Sequence, residues 1–241
     1  MIVDIFIPCF IDQIFPETGF NMVKVLEKLD VEVNYNPNQT CCGQFSFNTG
    51  FWDDAKKIGS KFINDFSNDR YIVAPSASCI GYIKNYYPEL FHNTGFHLEN
   101  KQLQKNIIEF TDFVVNVLHI EDVGSTFSGI ITYHDACAAI REYGLKDEPR
   151  KLLREVKGLE LREMKENDVC CGFGGTFSIK NEPVSVAMAQ QKVQNAMETG
   201  AEFIVSTEAS CLMHLDGYIK RKHLPIKVMH IADVLSTGLK L

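Results

Sequence analysis

The residues best equipped for chemistry are the eight cysteines, and their spacing is regular. Two pairs are adjacent, Cys41-Cys42 and Cys170-Cys171. Glycine follows each pair: Gly43 in the first case, Gly172, Gly174 and Gly175 in the second. Each pair has one cysteine about thirty residues upstream, Cys9 or Cys137, and one about forty downstream, Cys79 or Cys211. The two groups of four are displaced by 128 to 132 residues, and no cysteine is left over. A register kept over that distance marks a tandem repeat. Burial as a hydrophobic thiol is the ordinary fate of free cysteine, but it does not call for duplicated spacing. Four thiolates per half make a metal-ligating set. Zinc takes four such sulfurs, though usually from cysteines two residues apart, which curl onto one ion. Adjacent cysteines better suit a polynuclear iron–sulfur cluster, where neighbouring sulfurs reach different irons and the glycines let backbone amides approach an anionic centre.

These side chains need elements that bring them together. Residues 2–7 are apolar and β-branched, stop at Pro8, and read as a buried strand that delivers Cys9. Pro16 and Glu17 open a helix with Phe20, Val23, Leu26 and Leu29 along one face. Val31, Val33 and Tyr35 alternate as a second strand that leads to Cys41-Cys42. A helix over 52–66 carries the stripe Ala55, Ile58, Phe62 and Phe66. A third strand over 71–74 delivers Cys79, and the helix after it is expected to end at Pro88. Residues 91–124 are expected to form two weakly amphipathic helices. The second half repeats the plan, with strands over 129–133, 159–164 and 202–206 and helices over 148–156 and 183–198. The closing segments 108–113 and 229–234 also match. The expected fold is α/β, a tandem repeat of two similar parallel-sheet halves, residues 1–124 and 125–241, packed against each other. Each cysteine group falls past the carboxyl end of a strand, where parallel sheets gather their loops and helix N-termini.

The bulk properties limit the function. With 241 residues and 45% hydrophobic content, the chain can bury a sizeable core. A net charge of −7 argues against nucleic acid and anionic membrane surfaces as partners. No apolar run approaches the roughly 18 residues that span a bilayer, so direct membrane insertion is not expected. The opening residues lack a basic segment and are interrupted by Asp4, so they do not resemble a signal peptide. The expected location is cytoplasmic, where reduced thiols favour metal or redox chemistry over disulfides.

Other residues have plainer readings. The Gly172–Gly175 stretch lacks the lysine of a triphosphate loop and the spacing of a dinucleotide fingerprint. His134-Asp135, just before Cys137, reads as a hydrogen-bonded loop histidine and a helix cap, with ligand orientation or proton movement as the sharper alternative. His214 near Cys211 reads as structural, Trp52-Asp53-Asp54 as a helix start, and Arg141 as a solvated or capping side chain. No residue is assigned a catalytic role.

Taken together, Pro8-Cys9, Gln39-Thr40-Cys41-Cys42-Gly43-Gln44, Pro75-Ser76-Ala77-Ser78-Cys79, Tyr133-His134-Asp135-Ala136-Cys137, the segment 169–178 and Ser210-Cys211-Leu212 resemble the cysteine-rich CCG-domain family. That family includes a cluster-binding component of heterodisulfide reductase and the iron–sulfur components of glycolate and glycerol-3-phosphate dehydrogenases. The likeness is strongest to its lactate-utilization branch and covers essentially the whole chain. It implies an iron–sulfur electron-transfer subunit serving oxidation of L-lactate to pyruvate alongside two partner proteins, one of them carrying its own iron–sulfur centres. In the heterodisulfide reductase branch each half ends in two cysteines two residues apart, and five thiolates hold a non-cubane cluster. Here Ser76 and Glu208 stand where the earlier cysteine of that pair would be. Four thiolates per half leave a four-iron cluster, an altered cluster with an oxygen ligand, or zinc in one half. A thiol–disulfide reductase and a zinc-stabilised scaffold are the competing functions.

Overall fold

The computed structural model describes residues 1–239. Its first half carries strands β1 (Ile2–Ile5), β2 (Glu32–Tyr35), β3 (Ile72–Ala74) and β4 (Ile107–Glu109). Between them run helices α1 (Cys9–Ile14), α2 (Pro16–Lys28), α3 (Gln44–Asn48), α4 (Trp52–Asp65), α5 (Ala77–Leu90) and α6 (His97–Asn106), and α7 (Phe110–Asp112) follows β4. The second half has β5 (Thr126–Tyr133), β6 (Lys157–Leu161), β7 (Phe203–Ser206) and β8 (Lys227–His230). Its helices are α8 (Glu148–Glu155), α9 (Phe177–Lys180), α10 (Glu182–Met197), α11 (Ala209–Lys222) and α12 (Ile231–Ser236), with a π-helical turn over Ala139–Tyr143. Each half is a four-stranded, all-parallel sheet, in the orders β2-β1-β3-β4 and β6-β5-β7-β8. The two orders are the same permutation, as a duplicated sequence requires.

The contacts between halves come in matched pairs. Helix α12 packs on α2 while α7 packs on α8, and α5 packs on the 139–143 turn while α1 packs on α11. Exchanging the halves exchanges the members of each pair, the signature of a pseudo-two-fold axis. One core belongs to both halves, joining Val3, Met22, Val25 and Leu26 to Ile131, Tyr133, Ile231 and Leu235. Burial this continuous makes the two repeats one hydrophobic unit.

Three expectations need correction. The face of α2 that is buried runs through Met22, Val25 and Leu26, with Val23 and Leu29 half-buried, whereas Phe20 is 69% exposed. Pro88 does not end α5; the helix continues to Leu90. Proline at that position leaves the carbonyl four residues earlier, Lys84 O, without its N–H, and the Gln104 side chain supplies the missing donor at 2.8 Å while also touching Ile83 O at 3.2 Å. Residues 91–124 hold the two expected helical stretches, α6 and a helical run over 110–117, but what joins them is an unexpected strand, Ile107–Glu109, which pairs with β3 as the sheet's last strand. A three-residue strand whose neighbours are helical carries too little periodicity to be read. The matched closing segments are each the end of a fourth strand followed by a short helix.

Candidate metal centre

Every cysteine sits just beyond the carboxyl end of a strand or in the first turn of the helix that follows. Cys9 opens α1, Cys79 lies in the first turn of α5 and Cys211 in the first turn of α11. The adjacent pairs lie in the loops after β2 and β6. In the first half Cys9 Sγ stands 3.8 Å from Cys41 Sγ, and the Gly43 N–H points at Cys41 Sγ from 3.3 Å. The second half repeats this, with 3.8 Å between Cys137 and Cys170 and 3.4 Å from Gly172 N to Cys170 Sγ. All eight cysteines line one cavity of about 350 Å³ between the halves, together with Phe10, Phe45, Phe173 and Glu208.

The glycines after the cysteines divide into two kinds. Gly43 (φ 90°) and Gly172 (φ 96°) adopt the left-handed conformation that turns their amides onto sulfur. A Cβ on Gly172 would also lie 2.6 Å from Ser185 O, so that position takes no side chain. Gly174 and Gly175 turn the loop instead, and among the described residues neither amide is bonded to sulfur. Their turn lets Phe173 meet Phe10 of the other half edge-on, with ring centroids 5.5 Å apart.

The thiols are electrostatically unequal. Cys41 is lowered to about 3, first by hydrogen bonds from Cys42 and Cys9 and then by the Gly43 amide. Cys170 is lowered to about 2 by Cys137, Cys171 and the Gly172 amide in the same way. The donating thiols Cys9, Cys42, Cys137 and Cys171 are pushed up, by that donation and by burial. Cys211 falls to about 5, held down by Cys171 and, more weakly, by His134. Each half therefore presents at least one ready thiolate, braced by a backbone amide, among further sulfurs that a metal would deprotonate. Four clustered soft donors with amides aimed at them fit an iron–sulfur cluster or a thiophilic ion in each half.

Several neighbouring side chains do other work than the sequence suggests. Asp135 is clamped by Arg150 through two bonds of 2.8 and 2.6 Å, and Arg150 lies over the Tyr133 ring; Asp135 caps no helix. His134 is fully buried and neither ring nitrogen reaches a nitrogen or oxygen partner, which corrects its reading as an ordinary hydrogen-bonded loop histidine. His214 is structural, as expected, and bonds Ser185 Oγ at 3.2 Å. Arg141 lies on the cavity wall. The buried Lys192, which sequence reasoning passed over, donates to Glu166 O and to Asn167 O (3.2 Å) beneath the second cysteine loop. Nothing in an otherwise amphipathic helix distinguishes it.

Ser76 and Glu208 meet across the boundary between the halves. Glu208 is 2% exposed and accepts from Ser78 N (2.6 Å), Ser78 Oγ (2.8 Å) and Ser76 Oγ (3.3 Å). Burial, followed by the charge on Cys211, raises its carboxyl to about 8. The acid's hydrogen bonds thus go to the first half while its carboxyl stays close enough to Cys211 to feel its charge. The sequence singles out both residues as replacements for a cysteine; that they bond each other across the two halves is visible only in the fold.

The model of the cysteine-rich CCG domain matches residues 3–84 and 131–216, one repeat in each half. The chain belongs to the cysteine-rich CCG-domain family. Curated relatives agree over its whole length. Lactate utilization protein A of Bacillus licheniformis is 43% identical over 98% of this chain and 100% of its own. The protein of that name from Oceanobacillus iheyensis is 42% identical over 98% and 97%, and that from Bacillus subtilis 41% over 98% and 100%. Among solved structures, a hypothetical protein from Helicobacter pylori matches all of this chain with a TM-score of 0.61 at 12% identity, which speaks to the fold alone; this chain spans 49% of that one. No helix among the described residues is long and apolar enough to cross a membrane.

Proposed function

We propose that this chain is an iron–sulfur electron-transfer subunit of a cytoplasmic, multi-protein system that oxidises L-lactate to pyruvate with two other lactate-utilization proteins. The observation that carries the reading is the gathering of all eight cysteines, as two equivalent sets of four, around one cavity. The names of the relatives supply the metabolic setting. Cys9, Cys41, Cys42 and Cys79 would hold one centre, and Cys137, Cys170, Cys171 and Cys211 the other. A cluster bound there would supply one-electron acceptance and release. The chain's own contribution is to position the sulfurs, to stabilise thiolate with the Gly43 and Gly172 amides, and to cover the site with Phe10, Phe45 and Phe173. Hydride removal from the 2-hydroxy acid falls to a partner with an organic acceptor.

One observation favours a second reading, a single ion in a half. Thiolates at about 2.3 Å from one tetrahedral ion stand about 3.8 Å apart, the spacing seen for Cys9–Cys41 and Cys137–Cys170. Anaerobic purification with metal and sulfide analysis and electron paramagnetic resonance separates the two. Iron with acid-labile sulfide and a reducible signal is expected; zinc alone would sink the electron-transfer reading. Bleaching of the visible absorption by lactate should then need both partner proteins.

A further inference from the structure

The two halves match in sulfur geometry but not in the residue beneath the sulfurs. His134 follows β5 and donates its backbone N–H to Val205 O at 2.8 Å. Its counterpart in the first half is Phe6, which follows β1 and donates to Val73 O at 3.0 Å. Phe6 is fully buried and packs on Phe62 and Phe66. His134 is equally buried, yet neither imidazole nitrogen reaches a nitrogen or oxygen partner, and the group that its ring acts on is the Cys211 thiol. An unpaired buried polar atom is costly, so a structural histidine would be expected to bond at least one ring nitrogen to oxygen or nitrogen. What the ring does face is sulfur. A nitrogen of His134 and the Sγ atoms of Cys171 and Cys211 all lie within 4.8 Å of one another.

We propose that His134 is a nitrogen ligand of the second centre, which makes that centre a mixed thiolate–imidazole site and leaves the first one bound by thiolate alone. The inference rests on metal binding by the two cysteine sets, as proposed above. Other candidates for an extra donor are already engaged. Glu208 gives its carboxylate to Ser78 and Ser76, and the Ser76 hydroxyl caps the Cys79 N–H. A neutral imidazole adds a donor without adding negative charge, so at equal thiolate count the second centre differs from the first in the kind of ligand it holds. The lysine at the second loop, Lys192, is buried, whereas the one that reaches the first loop, Lys61 at Asn38 O, is exposed and paired with Asp65, so a positive charge is better screened at the first centre and favours added electrons at the second. Electrons entering the pair should therefore rest on the second centre.

The test uses the full chain, reconstituted anaerobically with iron and sulfide, with Cys41→Ser introduced to silence the first centre. Pulsed electron paramagnetic resonance should show a strongly coupled nitrogen at the second centre that changes when histidine is labelled with ¹⁵N. The reciprocal variant, Cys170→Ser, should show none at the first. His134→Phe, which installs the residue type of the first half, should abolish the coupling. The ¹⁵N experiment needs no change at His134, so a misfolded His134→Phe does not spoil it. An iron-loaded second centre without directly bonded histidine nitrogen overturns the proposal, including the case of weak coupling from a hydrogen bond to sulfur. If the sites take zinc, the iron–sulfur reading falls by itself. Cobalt substitution then decides this one, a mixed sulfur–nitrogen ligand-field spectrum supporting it and an all-sulfur spectrum overturning it. A chain that takes up no metal overturns both.

Discussion

Glu109 offers a quantitative test of the fold that does not depend on the metal. It is fully buried at the start of α7, where Oε2 accepts from Thr111 N (2.7 Å) and Asp112 N (3.1 Å) while Oε1 has no partner. Burial lifts its carboxyl to about 8, against the pull of those hydrogen bonds. Because the folded-state value is raised, the group costs nothing where both states are protonated, below about pH 4.5. As pH climbs towards 8 the unfolded chain ionises while the folded chain keeps its proton, and stability falls by about 1.4 kcal/mol per pH unit. The accumulated cost is about 3 kcal/mol at pH 7, and the loss stops once the folded group also ionises. Glu109→Gln keeps a carbonyl for the cap, places N–H at the unpartnered side and cannot ionise. Denaturant unfolding of reduced, metal-free protein should show the two chains nearly equal at about pH 4, where both states of Glu109 are protonated. The variant should pull ahead by about 3 kcal/mol or more by pH 8. A stability difference that stays flat over that range would show that Glu109 is ionised in the fold and that the burial argument fails.

Other predictions concern the site. Cys170→Ser and Cys171→Ser should remove iron from the second half only, and serine at Cys9, Cys41, Cys42 or Cys79 from the first only; iron content unchanged in all of them would refute the two-set assignment. Gly172→Ala drives a Cβ against Ser185 O and should abolish metal uptake by the second set, so normal uptake with the fold intact would show that the loop does not need its left-handed turn. Glu208→Ala leaves the Ser78 amide and hydroxyl without their acceptor and should destabilise the chain by about 1–3 kcal/mol in denaturant unfolding; an unchanged midpoint would mean that this contact does not hold the halves together.

The duplicated cysteines and the strand–helix alternation made the α/β repeat legible, because both signals are local and periodic. The placement of Cys9, Cys79 and Cys211 at strand ends followed from Pro8, Pro75 and the apolar runs before them. What stayed hidden depends on partners far away in sequence. Pro88 looks like a helix stop until Gln104 is seen to satisfy the Lys84 carbonyl it frees. Phe20 fits an apolar stripe, yet the buried face of α2 is set by α12, about two hundred residues later. His134 looks like any loop histidine until the fold brings Cys171 and Cys211 to its ring.

One difference between the repeats falls where the pseudo-two-fold axis makes identity costly. Near the axis a residue tends to face its own counterpart, and two buried acids there would repel with no water to screen them. The chain instead sets Glu208 against Ser76 and Ser78, one acceptor against two hydroxyls and an amide. The same logic applies at the closing helices. Glu109 caps α7, whereas its counterpart His230 caps α12 through Nδ1 to Ala232 N and reaches Pro75 O of the other half through Nε2. The cysteine loops sit around the cavity and can stay alike, because each addresses its own sulfurs. The repeats thus share one topology while Ser76 faces Glu208 and Phe6 stands where the other half has His134, and those differences are what would make the two proposed centres unequal.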